Sequence, residues 1–411
     1  MKSKFIDAVK QSVKSLFYPQ KIDETKISKH AIEIIKVLKK NNYEAYIVGG
    51  AIRDILMNKN PKDFDIATDA TPEQIKLLFR RSRIIGRRFK LVHVMDGRDI
   101  IEVSTFRAKP HNKEVMRNGV TKDNEYGTLK EDAERRDFTC NSIYYNPLTK
   151  VLIDLYGGVK DIREKKLAMI GDPKKRFDED SVRILRAIRF AAKLNLTIDK
   201  NILEAIESKK SKLQSIPYSR LFDEIMKLFL TGHALQSFDL FKRFNLSKYY
   251  FPSFESKNPK AQSFLLKGLS DTDDRVRANK SVNPGFLLAV FLWSDVKKLW
   301  EERNKTSINT TVALHDAIDL VLAKQSKVFP IQKRFGVTMS EIWRLQPRFS
   351  KLHPKRIYRL LGHPRFRAAY DFMLLRDHHQ EIEFGLGKWW TNFIAADEHT
   401  KSILVKNIKL K

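Results

Sequence analysis

Two hydrophobic periods run along this chain, and the change from one to the other divides it. Ile27, Ala31, Ile34, Ile35 and Leu38 recur every three or four residues, so they share one face of a helix that ends at Asn41-Asn42. The short apolar run Ala45–Val48 stops at Gly49-Gly50, the pattern of a buried strand entering a tight turn. Residues 64–68 predict a second short strand. Thr71-Pro72-Glu73-Gln74 opens a helix with an N-cap, a first-turn proline and a capping-box glutamine. Residues 91–95 and 100–106 are rich in β-branched and apolar side chains and predict a hairpin turning at Asp96-Gly97.

After Ile170 the period becomes helical throughout. Segments 178–194, 199–209, 218–231 and 233–244 follow it, and strands become hard to find, which places a boundary near 165–175. Residues 253–283 are polar and turn-rich (Pro259, Gly268, Asp271, Asp273, Asp274) and read as a loop or linker. Helical periodicity then returns, and the last segment is dense in arginine and aromatics, among them Arg365, Phe366, Arg367, Tyr370, Trp389 and Trp390. The expected fold is α+β: a small mixed-sheet head followed by an all-helical neck, body and tail. The expected divisions are an arm at 1–42, a head at 43–170, a neck at 171–235, and a body with tail at 236–411. In the arm, Phe5, Ala8, Val9, Val13, Leu16 and Phe17 have helical spacing. That fits an amphipathic helix packed on the body, or one that meets a membrane surface or serves targeting.

Composition narrows the function. The 411 residues exceed what one core normally serves, and 42% hydrophobic content supports real cores. Lys plus Arg number 78 against 49 Asp plus Glu, a net charge of +29. Self-repulsion of that size is relieved by a polyanion, so nucleic acid is the first expected partner and anionic membrane the second. Cys140 is the single cysteine, which excludes a disulfide framework and a cysteine-based zinc site. It lies in an apolar run and reads as a small core residue. The longest apolar run, 286–293, is far short of the about 20 residues a bilayer needs. No secretory signal pattern is present at the N-terminus, so a reducing, cytoplasmic location is expected.

The strongest local chemistry is Gly49-Gly50-Ala51-Ile52-Arg53-Asp54 followed by Asp63-Phe64-Asp65. Alternate residues of a strand project from one face, so the two carboxylates would lie side by side and repel unless cations intervene. Hard divalent ions with oxygen ligands fit, Mg²⁺ above all, because it accepts one or two carboxylates plus phosphate oxygens. The diglycine turn lets backbone approach a phosphate, and Arg53 adds charge. Together these point to two-metal phosphoryl or nucleotidyl transfer. Glu102, an acid between apolar neighbours on the second hairpin strand, is the expected third carboxylate. The alternative is that Asp-x-Asp marks an ordinary solvated strand end.

These residues, with others in order along the chain, resemble the class II nucleotidyltransferases, the group of bacterial poly(A) polymerases and CCA-adding enzymes. Gly49-Gly50, twelve residues, then Asp63-Phe64-Asp65 resembles its head motif. Arg135-Arg136-Asp137-Phe138-Thr139 is similar to the family's ribose-contacting Arg-Arg-Asp motif, which implies that role for Arg136 and Asp137. The segment 154–161, with Gly157-Gly158, resembles the family's flexible hinge. Glu179-Asp180-Ser181-Val182-Arg183 is similar to the motif whose Asp and Arg hydrogen-bond the edge of the incoming base. Arg186-Ala187-Ile188-Arg189-Phe190-Ala191 continues that helix as in the family, adding Arg186 and Arg189 to the implied nucleotide-binding set.

Read physically, Glu179 and Arg183 are also spaced for a plain helical ion pair. Val182, Leu185, Ile188 and Ala192 form a buried stripe that leaves Arg183 and Arg186 on another face, open to a ligand.

Two further stretches resemble the poly(A) polymerase branch rather than the CCA branch: 84–94, containing Arg87 and Arg88, and 217–224. In the tail, 346–349, 363–371 and Trp389-Trp390 do the same. The implied reaction is template-independent addition of AMP from ATP to RNA 3′ ends. Two Mg²⁺ ions would be held by Asp63 and Asp65 with Glu102 close by. Arg87, Arg88, Arg365, Arg367 and the lysine-rich end would grip RNA phosphates without reading sequence, and a monomer is expected. CCA addition to tRNA and a non-catalytic RNA-binding protein are the alternatives. His315-Asp316 alone is too little to support a metal phosphohydrolase.

Overall fold

The computed structural model describes residues 22–86, 90–108, 125–306 and 309–408. The expected arm helix before residue 22, Arg87 and Arg88 lie outside them. Helix Lys29–Lys40 forms where Ile27–Leu38 periodicity placed it. The Ser28 side chain accepts from Ala31 N, and Ala31, Ile34, Ile35 and Leu38 are buried. The Thr71–Gln74 capping box forms at the start of helix Pro72–Leu78.

The head is built on a seven-stranded sheet in the order β3-β4-β5-β2-β1-β6-β7. The strands are β1 (Ala45–Val48), β2 (Asp65–Thr68), β3 (Ser82–Ile85), β4 (Leu91–Asp96), β5 (Asp99–Thr105), β6 (Ile143–Asn146) and β7 (Val151–Asp154). Every pairing is antiparallel except β2 with β5, which runs parallel and sets Asp65 opposite Glu102. Alternation assigns the faces. Ile47, Ile66, Ile101 and Val103 are buried on the face that helix Lys29–Lys40 packs against. Val48, Ala67 and Tyr144 lie on the other face, in a small core with Phe106 and Ala133. Asp65 and Glu102 share that second face.

The described chain divides into two compact units, Met1–Lys212 and Leu213–Lys411. The units part at 212/213, inside the segment expected as the neck. Lys166–Leu167 pairs in parallel with Thr197–Ile198, and Asp199 N donates to Leu167 O, which ties the first neck helices to the head.

Three other expectations change. Asp63 lies ahead of β2, which begins at Asp65. The predicted helix 178–194 is interrupted: one helix ends at Glu179, another starts at Arg183, and Asp180 between them has extended backbone. Residues 253–283 are no linker, since Pro259–Arg277 is a helix with an Asn258 cap and proline in its first turn. Its Phe264, Leu265, Gly268, Leu269 and Thr272 are buried, and the Asp273 carboxylate accepts from Ala234 N. Polar composition concealed a helix in which Asp273 caps a neighbouring helix while Asp271 and Asp274 pair with Lys267 and Arg277 on their own.

Gly158 marks a close approach of two backbones. The carboxylate of Asp154 accepts from Gly158 N and Val159 N at 2.9 Å, starting helix Gly158–Arg163. A Cβ on Gly158 would lie 2.3 Å from the Thr139 carbonyl oxygen. Gly158→Ala should therefore destabilise by about 2 kcal/mol through overpacking, lowering Tm by roughly 5 °C in a thermal melt.

Candidate functional site

Gly49 leaves β1 with φ 75° and ψ −122°, a conformation closed to residues bearing a Cβ at ordinary cost. Its N–H donates to Ile143 O at 3.2 Å, which anchors the turn to β6. A Cβ on Gly49 would stand 3.5 Å from Arg136 Nη1, and one on Gly50 3.6 Å from Arg53 Nη2. The diglycine turn thus runs between two guanidinium groups.

Arg53 is 4% exposed and is committed to protein. Its Nε and Nη2 donate to Asp54 Oδ1 at 2.8 and 2.7 Å, and its Nη1 to Asn141 Oδ1 at 2.6 Å. Arg136 Nε and Nη2 donate to Asp132 Oδ2 at 3.1 and 3.0 Å, and its guanidinium lies 5.3 Å from the Tyr144 ring centroid.

Asp132 escaped sequence reasoning. It is 1% exposed and takes Arg135 on Oδ1 at 3.0 and 2.7 Å, with Arg136 and the Tyr144 hydroxyl on Oδ2, the latter at 2.7 Å. Burial pushes its carboxyl up, but Arg136 and Arg135 outweigh that and hold it at about 2. The available signal was an acid inside a short, charged helix, followed at three and four residues by arginines.

Asp65 and Glu102 stand on adjacent strands in register, and Asp63 precedes them by two residues on the same chain. Asp65 has an exposed edge, yet desolvation on its protein side pushes its carboxyl up to about 6. Glu102 adds to the rise, Arg136 opposes it and Asp63 contributes last. His93, opposite Glu102 on β4, places Nε2 3.4 Å from Glu102 Oε1. No group of three or more His, Cys, Asp or Glu among the described residues is drawn close enough to hold a metal ion. The chemistry nevertheless fits one. Asp65 and Glu102 stand in register, and Asp65 resists ionisation chiefly because it is desolvated, with Glu102 adding to it, a cost that a hard divalent cation would lower.

The residues expected to read the base lie at the helix break. Asp180 Oδ1 accepts from Val182 N at 3.2 Å. The Glu179–Arg183 ion pair forms at 2.8 Å, and Glu179 also takes Arg176 at 2.9 Å. Arg183 and Arg186 are not open to a ligand in the way the buried stripe implied. Arg183 Nε donates to Asp137 Oδ1 at 3.1 Å, and Arg186 Nε donates to Asp137 Oδ2. Arg183 Nη2 has no hydrogen-bond partner among the described residues. Arg189 lies over the Phe190 ring at 4.7 Å.

In the second unit, Arg365 Nε donates to Glu341 at 2.9 Å and Arg367 pairs with Asp371 at 3.1 Å, leaving Arg367 69% exposed. The tail aromatics are core: Phe349, Phe366, Trp390 and Phe393 pack together, and Trp390 Nε1 donates to Phe349 O at 3.1 Å. His315-Asp316 lies inside a helix, with Asp316 3.5 Å from Arg303. Cys140 is fully buried, and burial pushes its thiol up to about 12.

Comparison with known proteins follows this layout. Residues 45–168 match the family described as Poly A polymerase head domain. Residues 195–258 match "Probable RNA and SrmB- binding site of polymerase A", and 306–411 match Polymerase A arginine-rich C-terminus. A poly(A) polymerase I of Salmonella typhi is 39% identical over 395 residues, covering 91% of this chain and 84% of the relative. A CCA-adding enzyme of Lactobacillus helveticus is 34% identical over 243 residues, covering 59% of this chain and 60% of the relative. Among solved structures, a tRNA-processing enzyme in its apo form has a TM-score of 0.64 at 22% identity, covering 96% of this chain and 99% of that one. At that identity it speaks for the fold alone. Family models for head, RNA-binding segment and tail match in chain order, and one relative aligns nearly end to end, so this chain belongs to the poly(A) polymerase family.

Proposed function

We infer that this chain is a polynucleotide adenylyltransferase, adding AMP from ATP to RNA 3′ ends without a template. The observation that carries the reading is Asp65 in register with Glu102, Asp63 beside them, and Arg136 within their field. Asp63 and Asp65 would hold Mg²⁺, two ions in all, which when bound would activate the RNA 3′-hydroxyl and stabilise charge on the phosphates. The hydroxyl gives up its proton to solvent as its oxygen forms a bond to the α-phosphorus, the α–β bridging P–O bond breaks, and pyrophosphate leaves with the electron pair. Glu102 supplies a third negative charge beside Asp65.

Gly49 and Gly50 would let backbone approach the triphosphate, while buried Arg53 stiffens the turn through Asp54 and Asn141. Arg136 and Asp137 would border the ribose. Asp180 and the Nη2 of Arg183 would meet the adenine edge, with Glu179 and Asp137 fixing the guanidinium plane, as bidentate recognition needs. Arg186 and Arg189 would add positive charge around the nucleotide. Arg365, Arg367 and, outside the described residues, Arg87 and Arg88 would contact RNA phosphates, so binding should weaken steeply with salt. No described helix is long and apolar enough to cross a membrane. A lone buried cysteine and an RNA substrate fit a cytoplasmic monomer.

A primer-extension gel with Mg²⁺ tests the product. An unstructured RNA and a tRNA lacking its CCA end each receive ATP, CTP, or both. A long ladder with ATP alone is expected on either RNA. Three additions that occur only on tRNA and only with both nucleotides would instead assign CCA synthesis.

A further inference from the structure

In the second unit, helices Pro284–Asn304 and Thr310–Val328 pack on each other and leave a cavity of about 270 Å³ at their contact. Leu292 and Leu299 from the first helix, with Val321 and Val328 from the second, give it apolar walls. Its polar lining is a set of unused acceptors. Asp295, one helical step from both leucines, makes no hydrogen bond or ion pair among the described residues. Burial holds its carboxyl above the ordinary range, although Lys324 and Lys298 oppose the rise. Buried Gln325 donates from Nε2 to Tyr250 O at 2.8 Å and to Phe329 O at 3.1 Å, which leaves its Oε1 without a donor among the described residues. The Ser253 hydroxyl, also on the lining, is buried without a partner. Acceptors gathered among apolar walls call for a ligand that donates at more than one point.

Two flat groups offer a carboxylate a pair of parallel N–H donors: a guanidinium and the edge of guanine. The charges at the rim decide between them. Lys298, Lys324 and Glu302 line the cavity and are exposed, and none of them makes an ion pair or hydrogen bond among the described residues. Their sum is positive, which opposes a guanidinium and attracts the phosphate of a nucleotide whose base is neutral. Adenine and cytosine set a ring acceptor beside the amino group, and uracil sets carbonyls beside its one N–H, so each turns an acceptor toward Asp295. The volume suits one base, since clefts for larger ligands begin near 300 Å³. We propose that this cavity is a guanine subsite: the base lies between the apolar walls and donates N1–H and N2–H to Asp295, while Lys298 and Lys324 meet the phosphate of the same nucleotide. The guanine belongs to RNA or to a free nucleotide. The site is separate from Asp65 and Glu102, which belong to the first unit.

Calorimetry on the full chain with GMP and IMP tests the assignment, because IMP lacks only the N2 amino group. GMP is expected to bind about tenfold more tightly, the worth of one hydrogen bond to a charged acceptor. In Asp295→Asn that preference should vanish, whereas Lys324→Gln should weaken both nucleotides together and keep their ratio. Short oligoadenylates carrying one internal guanosine or inosine separate the two sources. A tenfold preference for the guanosine oligomer, removed by Asp295→Asn, would assign the site to RNA; a preference among mononucleotides alone would assign it to a free nucleotide. No guanine preference in either form, measured on the unaltered chain, would overturn the proposal without any variant. Asp295-dependent binding of methylguanidine that is tighter than that of GMP would give the cavity to a basic side chain and also overturn it. These readouts need no catalysis, so the subsite stands or falls apart from the result of the product gel.

Discussion

Asp65→Asn is expected to lower AMP incorporation by at least about 10³-fold while leaving the fold intact and more stable at pH 7.5 without Mg²⁺. The activity loss follows from removing a carboxylate that would share the ions at the reacting phosphate, an interaction of several kcal/mol in the transition state. The stability gain follows from the sign of the pKa shift. The Asp65 carboxyl titrates at about 6 in the folded chain, above its ordinary value of 3.8. An acid with a raised folded pKa costs stability when ionised, so the cost is present above pH 6. It fades as pH falls through 6 toward 4, where the folded state takes the proton first. The advantage of Asp65→Asn should therefore shrink across that window. Added Mg²⁺ should raise the Tm of the unaltered chain more than that of the variant. Undiminished incorporation by Asp65→Asn would refute the two-metal assignment.

Asp132→Ala should be the most damaging single change to the head. It leaves Arg135 and Arg136, 30% and 20% exposed, without their shared counter-ion, and strips the Tyr144 hydroxyl of its acceptor. Breaking a buried pair from one side costs about 3–5 kcal/mol, or roughly 10 °C in Tm. The linkage runs opposite to Asp65. Asp132 titrates at about 2 when folded, below its ordinary 3.8. Its stabilisation is thus complete above pH 4 and lost as pH falls toward 2, a span worth roughly 2 kcal/mol. Urea denaturation of the unaltered chain and of Asp132→Asn should differ by a constant amount above pH 4 and converge below it. Activity should fall as well, because Arg136 loses the anchor that holds it beside Asp65. A variant with unchanged stability would show that Asp132 is not the hub of this network.

Much of the site was legible because its signals are local. A strand ending in two glycines predicts a turn with positive φ, and Gly49 has it. An acid between apolar neighbours, Glu102, lies on β5 directly beside Asp65. Other features needed partners far away in sequence. Arg183 and Arg186 looked open because helical spacing reports the face of a residue, not what stands opposite; Asp137 stands opposite. The Pro259–Arg277 helix was hidden because Asp273, polar by composition, is buried as a cap for Ala234.

The sequence by itself determined the α+β order, the helix caps, the strand-turn unit at Gly49 and the carboxylates, through nearest-neighbour sterics and alternation that act within a few residues. Only the tertiary structure decided which charges neutralise one another. It set Asp132 between two arginines and the Tyr144 hydroxyl, and clamped Arg183 and Arg186 on Asp137. Coulomb energy depends on distance and surrounding dielectric, and both are set by chain segments that meet only when the sheet closes.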